Sequence, residues 1–288
     1  MTPSLFAKSV RLFLMDGIAD GRWIGELSNW SGKVYKIPRT MIHNCNDRNE
    51  LRSTGVYFLF GRGDEQSDRN KVYIGEAENI YDRLKQHLSG KDFWNEAIVF
   101  FSKDENLNKA HIKYLESRFH EIAINADRYA VLNSIKPTLS RVSEADKAEL
   151  EEFLHYSQLM TNILGHKVLA PVLQHNDSTP KSPCFFIKAT RGVDAKGLIT
   201  SEGFVVTAGS KAAMELAPAF KKHNYLKLRT QLIAEGVLEP RGDQLIFEKD
   251  YIFNSPSAAA AIVMGRSASG PTEWKTAEGQ ILKSYEEG

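Results

Sequence analysis

Two tyrosines, an arginine–histidine pair and a glutamate fall close together in this chain, and each carries a group that can bind charge or move a proton. Tyr57 lies in the apolar run GVYFLF (55–60) and Tyr73 in KVYIG (71–75), so two strands can present phenols at one sheet edge. Arg83 and His87 are four residues apart and share a helix face beside the apolar stripe Ile80, Leu84 and Leu88. Glu116 follows Ile112 by four residues, on the side of the stripe Ile112, Leu115, Phe119 and Ile122. Three ionisable side chains thus edge toward an interior where an unpaired charge is costly. Singly, each has a plainer role: an arginine or glutamate at a stripe edge snorkels or pairs at the surface, a strand tyrosine packs, and a lone histidine is structural. Their convergence in one small α/β unit points to a catalytic cluster.

The elements that must position this cluster can be read in order. Short alternating bursts over 8–38 (VRLFL, WIGEL, KVYKI), separated by Asp-Gly and Ser-Gly turns, predict an antiparallel β-meander, and a short helix is expected within 39–52. Two strands at 55–60 and 71–75 follow, then a helix near 78–89, a strand at 96–101 and a helix over about 106–124. A further helix is expected at 144–164, opened by the capping signal Ser143-Glu-Ala-Asp146. Pro171, Pro180 and Pro183, with Asn, Asp and Ser between them, mark 165–184 as a linker. The expected organisation is an N-terminal meander and short helix at 1–53, a catalytic domain at 54–140, a helix at 141–164, the linker at 165–184 and an accessory module at 185–288.

Composition narrows the function classes. The chain has 288 residues, 42% of them hydrophobic and 25% charged, which suits a globular protein of about two domains. No apolar run approaches the roughly 20 residues of a membrane helix. Lys8 and Arg11 interrupt the apolar patch at the N-terminus, so no signal peptide is expected and the reading is cytoplasmic. Two distant cysteines, Cys45 and Cys184, argue against a disulfide framework and against a cysteine zinc site. His43 and Cys45 lack partners at ligand spacing. His111 and His120 are out of step with a ligand cluster and are expected at the surface. Lys109 and Lys113, one turn apart, form a basic face that either tracks a nucleic acid strand or is simply solvated. A net charge of +1 gives no general attraction to nucleic acid.

At the residues of the cluster the chain resembles the GIY-YIG endonuclease family. Gly55-Val56-Tyr57 and Tyr73-Ile74-Gly75 resemble the two signature triplets, with valine in place of the first isoleucine. Arg83 falls where that family carries its helical arginine, and His87 where some branches place a histidine. Glu116, within Tyr114-Leu-Glu-Ser-Arg118, matches the metal-binding glutamate. Asn133, within Val131-Leu-Asn133, matches the asparagine that closes the module. The resemblance implies an α+β fold with a small, mostly antiparallel sheet flanked by helices, and the order and stripe-edge placement of Tyr57, Tyr73, Arg83, His87 and Glu116 predict that they line one concave face of it. It implies DNA phosphodiester hydrolysis with one Mg²⁺ or Mn²⁺ held by Glu116. Arg83 would bind the phosphate, Tyr57 would take a proton from water, Tyr73 and His87 would position water or relay the proton, and Asn133 would brace the site.

The C-terminal stretch, with its Ser255-Pro256 helix start and alanine run, resembles the uncharacterised α+β module often found behind such nuclease domains. Reading DNA and binding a partner or stabilising the chain are equally open for it. Phe204, Phe253 and Trp274 are expected in its core. Two functions remain open for the whole: an active nuclease in defence, restriction or repair, and a nucleic-acid-binding protein that keeps the scaffold without useful turnover. Oligomeric state is left open.

Overall fold

The computed structural model describes residues 7–63, 69–173, 183–218, 220 and 224–287. The chain divides into two compact units, the first ending at Pro171 and the second beginning at Val172.

The first unit is one mixed sheet with helices on both faces. Its strands are β1 (Val10–Leu14), β2 (Trp23–Leu27), β3 (Gly32–Pro38), β4 (Gly55–Gly61), β5 (Lys71–Ala77), β6 (Glu96–Ser102) and the short β7 (Ala130–Val131), in the order β1-β2-β3-β6-β4-β5-β7. All neighbours pair antiparallel except β5 and β7. The expected meander is present as β1–β3, but it does not stand apart from β4–β6: β3 pairs with β6 from Gly32↔Ser102 to Pro38↔Glu96 and so extends their sheet. Strand β4 is central and covered on both faces, which is why every residue from Gly55 to Gly61 is buried and its sequence is a continuous apolar run.

Strand alternation sorts the side chains into two cores. Val56, Phe58, Phe60, Val72, Ile74, Ile98 and Phe100 pack with Ile112, Leu115 and Phe119 of helix α2 (Lys109–Ala126) and with Phe153 and Leu154 of helix α3 (Glu144–Ile163). Tyr57, Leu59, Val99 and Phe101 pack with Ile80, Tyr81 and Leu84 of helix α1 (Ile80–Gly90). Helix α3 therefore belongs to this unit by its core.

The helix starts follow from side-chain capping. Asn79, Asn108 and Ser143 accept from the amides of Asp82, His111 and Asp146, each satisfying a donor the helix cannot. Helix α2 stops where Asp127 turns into the left-handed region at φ 49°. The single helix expected within 39–52 is instead two 3₁₀ turns, Arg39–Cys45 and Asn49–Arg52. Asn44, Asn46 and Asp47 between them are residues that favour turns over helix interiors.

The second unit holds a sheet of β8 (Cys184–Ala189), β9 (Val193–Thr200), β10 (Gly203–Val206), β11 (Lys211–Ala213), β12 (Leu238–Arg241), β13 (Gln244–Phe247) and β14 (Tyr251–Phe253). Its path is β12-β13-β11-β9-β10-β14, with β8 also on β9. Helix α4 (Tyr225–Ala234) and the alanine-rich α5 (Pro256–Met264) pack with it, followed by the short α6 (Gly270–Glu273) and α7 (Leu282–Glu286). Ser255 caps α5 through the amide of Ala258, with Pro256 at the first turn, as expected. Phe204, Phe253 and Trp274 lie in the core. Arg229 is buried there too, donating to the carbonyls of Ala213 and Ile262, the latter in the last turn of α5 where a cation is favoured. Part of the expected linker, 174–182, lies outside the described residues. No helix among the described residues is long and apolar enough to cross a membrane.

Candidate active site

The hydroxyl of Tyr57 is the centre of the cluster. Register pairs Tyr57 with Gly75 and Tyr73 with Leu59, so both phenols rise from the face of the sheet that α1 covers. Asn79 fixes the start of α1 and thereby the turn that aims Arg83 and His87 at that face. Arg83 Nε donates to Tyr57 Oη at 3.2 Å, and Tyr57 Oη lies 2.7 Å from His87 Nε2. Tyr73 completes an aromatic group, its ring 6.3 Å from Tyr57 and 5.5 Å edge-on from His87.

Two glycines of the signature make this packing possible. A Cβ on Gly75 would sit 2.4 Å from Tyr57 Oη, so the phenol can lie across the strand only where there is no side chain. A Cβ on Gly55 would meet the carbonyl oxygen of Phe100 at 2.4 Å, so glycine admits the close approach of β6.

The electrostatics follow from burial. Burial, with help from the cations Arg83 and Lys91, holds His87 down at about 4, so the imidazole is neutral near pH 7. An arginine only donates, so the Tyr57 proton is free to point at His87 Nε2, which leaves the histidine proton on Nδ1. Burial also pushes the Tyr57 phenol well above its ordinary range, against the hydrogen bond from Arg83 that favours the phenolate. The bond to Tyr57 in turn raises Arg83, which stays charged.

Glu116 is half-buried on α2, and among the described residues its carboxylate has neither a hydrogen bond nor an ion pair. Burial first, then the charge of Glu76, lifts it to about 7, while Lys109, Lys113 and Arg83 act to lower it. The expectation of one concave face carrying all five groups needs correction. Helices α1 and α2 lie on opposite faces of the sheet, because Leu115 and Phe119 pack on the Val56 side while Leu84 packs on the Tyr57 side. Glu116 influences Arg83 and Tyr57 across the edge of β5, not from the same face. That edge is open near Gly75 because β7 pairs only with Lys71 and Val72.

Asn133 sits on this edge. Its Oδ1 accepts from Ile74 N at 3.1 Å and its Nδ2 donates to Ile74 O at 2.7 Å, so the side-chain amide continues the ladder past the end of β7. It braces β5 and makes no contact with the Tyr57 hydroxyl.

Three residues belong to the surroundings that sequence reasoning passed over. Lys91 Nζ stands 4.1 Å above the Tyr73 ring. Glu76, one residue past the second triplet, holds Lys109 at 2.9 Å, and Glu78 lies 3.7 Å from the same lysine. The position of Glu76 directly after Gly75, on the α2 side by alternation, was the available signal. Lys109 is therefore engaged by carboxylates, whereas Lys113 is exposed. His120 is buried and not at the surface, and Asp146 of α3 lies 3.7 Å from half-buried His111 because α3 packs across α2. Cys45 is buried beside Arg22, away from His43, which is exposed. A cavity of about 670 Å³ lined by Phe60, Glu96, Tyr129 and His166, among others, touches none of the cluster.

An α+β sheet whose edge gathers a phenol, a guanidinium, a neutral imidazole and an unpartnered carboxylate defines a hydrolase of phosphodiesters once its family is known. Residues 53–121 match the GIY-YIG catalytic domain, and the chain is accordingly an endonuclease. Behind it, residues 185–286 match a domain of unknown function (DUF4357), so this endonuclease carries the two modules in that order. Neither the curated proteins nor the solved structures gave a match.

Proposed function

We propose that the chain hydrolyses DNA phosphodiester bonds with the help of one divalent cation, Mg²⁺ or Mn²⁺, in a defence, restriction or repair setting. The observation that carries this reading is the Tyr57 hydroxyl held between Arg83 Nε and His87 Nε2. As an attacking water loses a proton to Tyr57 Oη, the proton already there passes to His87 Nε2, which is neutral and placed to receive it. Arg83 is permanently charged and offers its fork to the nonbridging oxygens as charge builds on the phosphorus. Tyr73 packs against His87 and limits water to the open side of the cluster.

The residues present fit a cation at Glu116. A half-buried carboxylate without a protein partner is costly unless a positive charge joins it. No group of three His, Cys, Asp or Glu side chains suited to a metal occurs among the described residues. A single carboxylate with waters and phosphate oxygens is the kind of site magnesium accepts. When bound, the cation would supply charge to the phosphate and the leaving oxygen.

The test is incubation of the purified chain with plasmid, single-stranded DNA and RNA, each with Mg²⁺, Mn²⁺ or EDTA. Cleavage of DNA that EDTA abolishes is expected. Binding of DNA without cleavage under any of these ions would instead favour a scaffold kept for binding alone.

A further inference from the structure

Strand β1 ends the first sheet and is the one place in it where a run of apolar side chains faces solvent. Val10, Leu12, Phe13 and Leu14 are 37%, 39%, 57% and 38% exposed, unlike any other strand of this sheet. Among the described residues, β1 pairs only with β2. The direction of its free backbone groups follows from two hydrogen bonds, Ser28 N to Ser9 O and Met15 N to Arg22 O. Odd-numbered residues therefore bond inward to β2, and Val10, Leu12 and Leu14 turn their N–H and C=O groups outward. The residues with free backbone groups are thus the apolar ones.

This edge is complementary to itself. A two-fold axis through Leu12, normal to the sheet, sets Leu12 opposite Leu12 and Val10 opposite Leu14 of a second copy. Each such pair exchanges both hydrogen bonds, so all the outward N–H and C=O groups of Val10, Leu12 and Leu14 find partners. On the other face the same register places Arg11 opposite Phe13, a cation against a ring. Helix α3 runs alongside, since Lys8 Nζ lies over the Tyr156 ring at 4.4 Å and Leu12 and Met160 both flank Gly25. Its exposed Leu159 and Ile163 widen the apolar surface beside the strand. Natural edge strands are kept single by proline, bulges or inward charges, and β1 has none of these at its outward positions.

We propose that β1 is a pairing edge for a second copy of this chain, joining two sheets into one through antiparallel β1–β1 contact. The catalytic edge at β5 lies on the far side of the sheet, so pairing leaves both active sites open to substrate.

Sedimentation of the full chain over a concentration series tests this. The weight-average mass is expected to rise to twice that of one chain. Leu12→Pro should hold it at one chain with unchanged circular dichroism, because the Leu12 N–H makes no bond to β2 and proline is tolerated at such a position. Should that variant fail to fold, Leu12→Cys in a Cys184→Ser background decides the matter. A short bismaleimide is expected to join two chains through residue 12. A wild type that stays at one chain throughout, a folded Leu12→Pro that still pairs, or a dimer that does not link through residue 12 would overturn the proposal.

Discussion

At Glu116 the requirements of stability and chemistry point in opposite directions. Its carboxylate is raised from near 4.5 to about 7 by burial and by Glu76. A group raised in the folded state favours folding below its unfolded value and loses that contribution as pH rises through the folded one. Glu116→Gln is therefore expected to unfold at higher denaturant than wild type, with the gap widening between pH 4.5 and 7. The same variant should lose metal-dependent cleavage by about a hundredfold or more, the scale of one transition-state charge partner. Undiminished turnover by a folded Glu116→Gln would remove the carboxylate from the mechanism. His87 has the reverse sign. Held near 4 by burial and by Arg83 and Lys91, with Tyr57 and Tyr73 as its uncharged neighbours, it stays neutral while an unfolded histidine takes up a proton below about 6.5. Wild type should thus lose stability relative to His87→Gln as pH falls from 6.5 to 4. Parallel denaturation curves at both pH values would contradict the buried neutral histidine. Cleavage by His87→Gln at pH 7 should fall about a hundredfold, the usual scale of a lost proton acceptor.

The elements explain why the signature has glycines where it does. Strand β5 must pass under the Tyr57 ring, and Gly75 is the residue it passes with. Gly75→Ala is expected to push the phenol off His87 and lower cleavage about as far as Tyr57→Phe does. Because both changes act on one hydrogen-bonded group, the double variant should be no worse than either alone. Additive losses would mean that Gly75 serves something other than the position of Tyr57. Helices α1 and α2 contribute from opposite faces, so the cluster is assembled at a sheet edge. Asn133 holds that edge by bonding Ile74 in the place where a longer β7 would have done so.

For the whole molecule the question is how a nearly neutral protein would hold the DNA proposed as its substrate. The net charge is +1, and among the described residues the cations near the catalytic edge include Arg83, already bonded to Tyr57 and Gln86, Lys91 over the Tyr73 ring, and the exposed Lys113. Such a surface binds weakly, and with few phosphate contacts its affinity falls only gently with salt. A second module on the same chain raises the local concentration of substrate without strengthening any single contact. A chain truncated after Pro171 is expected to keep metal-dependent cleavage but to bind duplex DNA more weakly, with a shallower dependence of log affinity on log salt. Titration of labelled duplex against both chains at two salt concentrations measures this. Equal affinities and equal slopes would show that residues 185–286 do not touch DNA, and a protein partner would then be the better reading of that module.

Much of this was legible in the residues themselves, for physical reasons that act locally. Short apolar runs named β4 and β5, helical spacing named α1 and α2, and the Ser143 and Ser255 capping signals opened α3 and α5. Local pattern also put Arg83 and His87 on one face, since four residues along a helix fix their separation. Contacts between distant segments obey no such rule. The pairing of β3 with β6, which makes the meander part of the catalytic sheet, joins residues far apart in sequence and depends on which edges remain free after β4 and β5 form. The meeting of His111 with Asp146 depends on α3 crossing α2. Most of all, the side of the sheet on which each helix lies decided the shape of the site: the stripes of α1 and α2 look alike in sequence, and only packing against alternate residues of β4 sent them to opposite faces. The chain's own order of residues therefore named the chemical groups, and the tertiary structure decided that they meet around an edge.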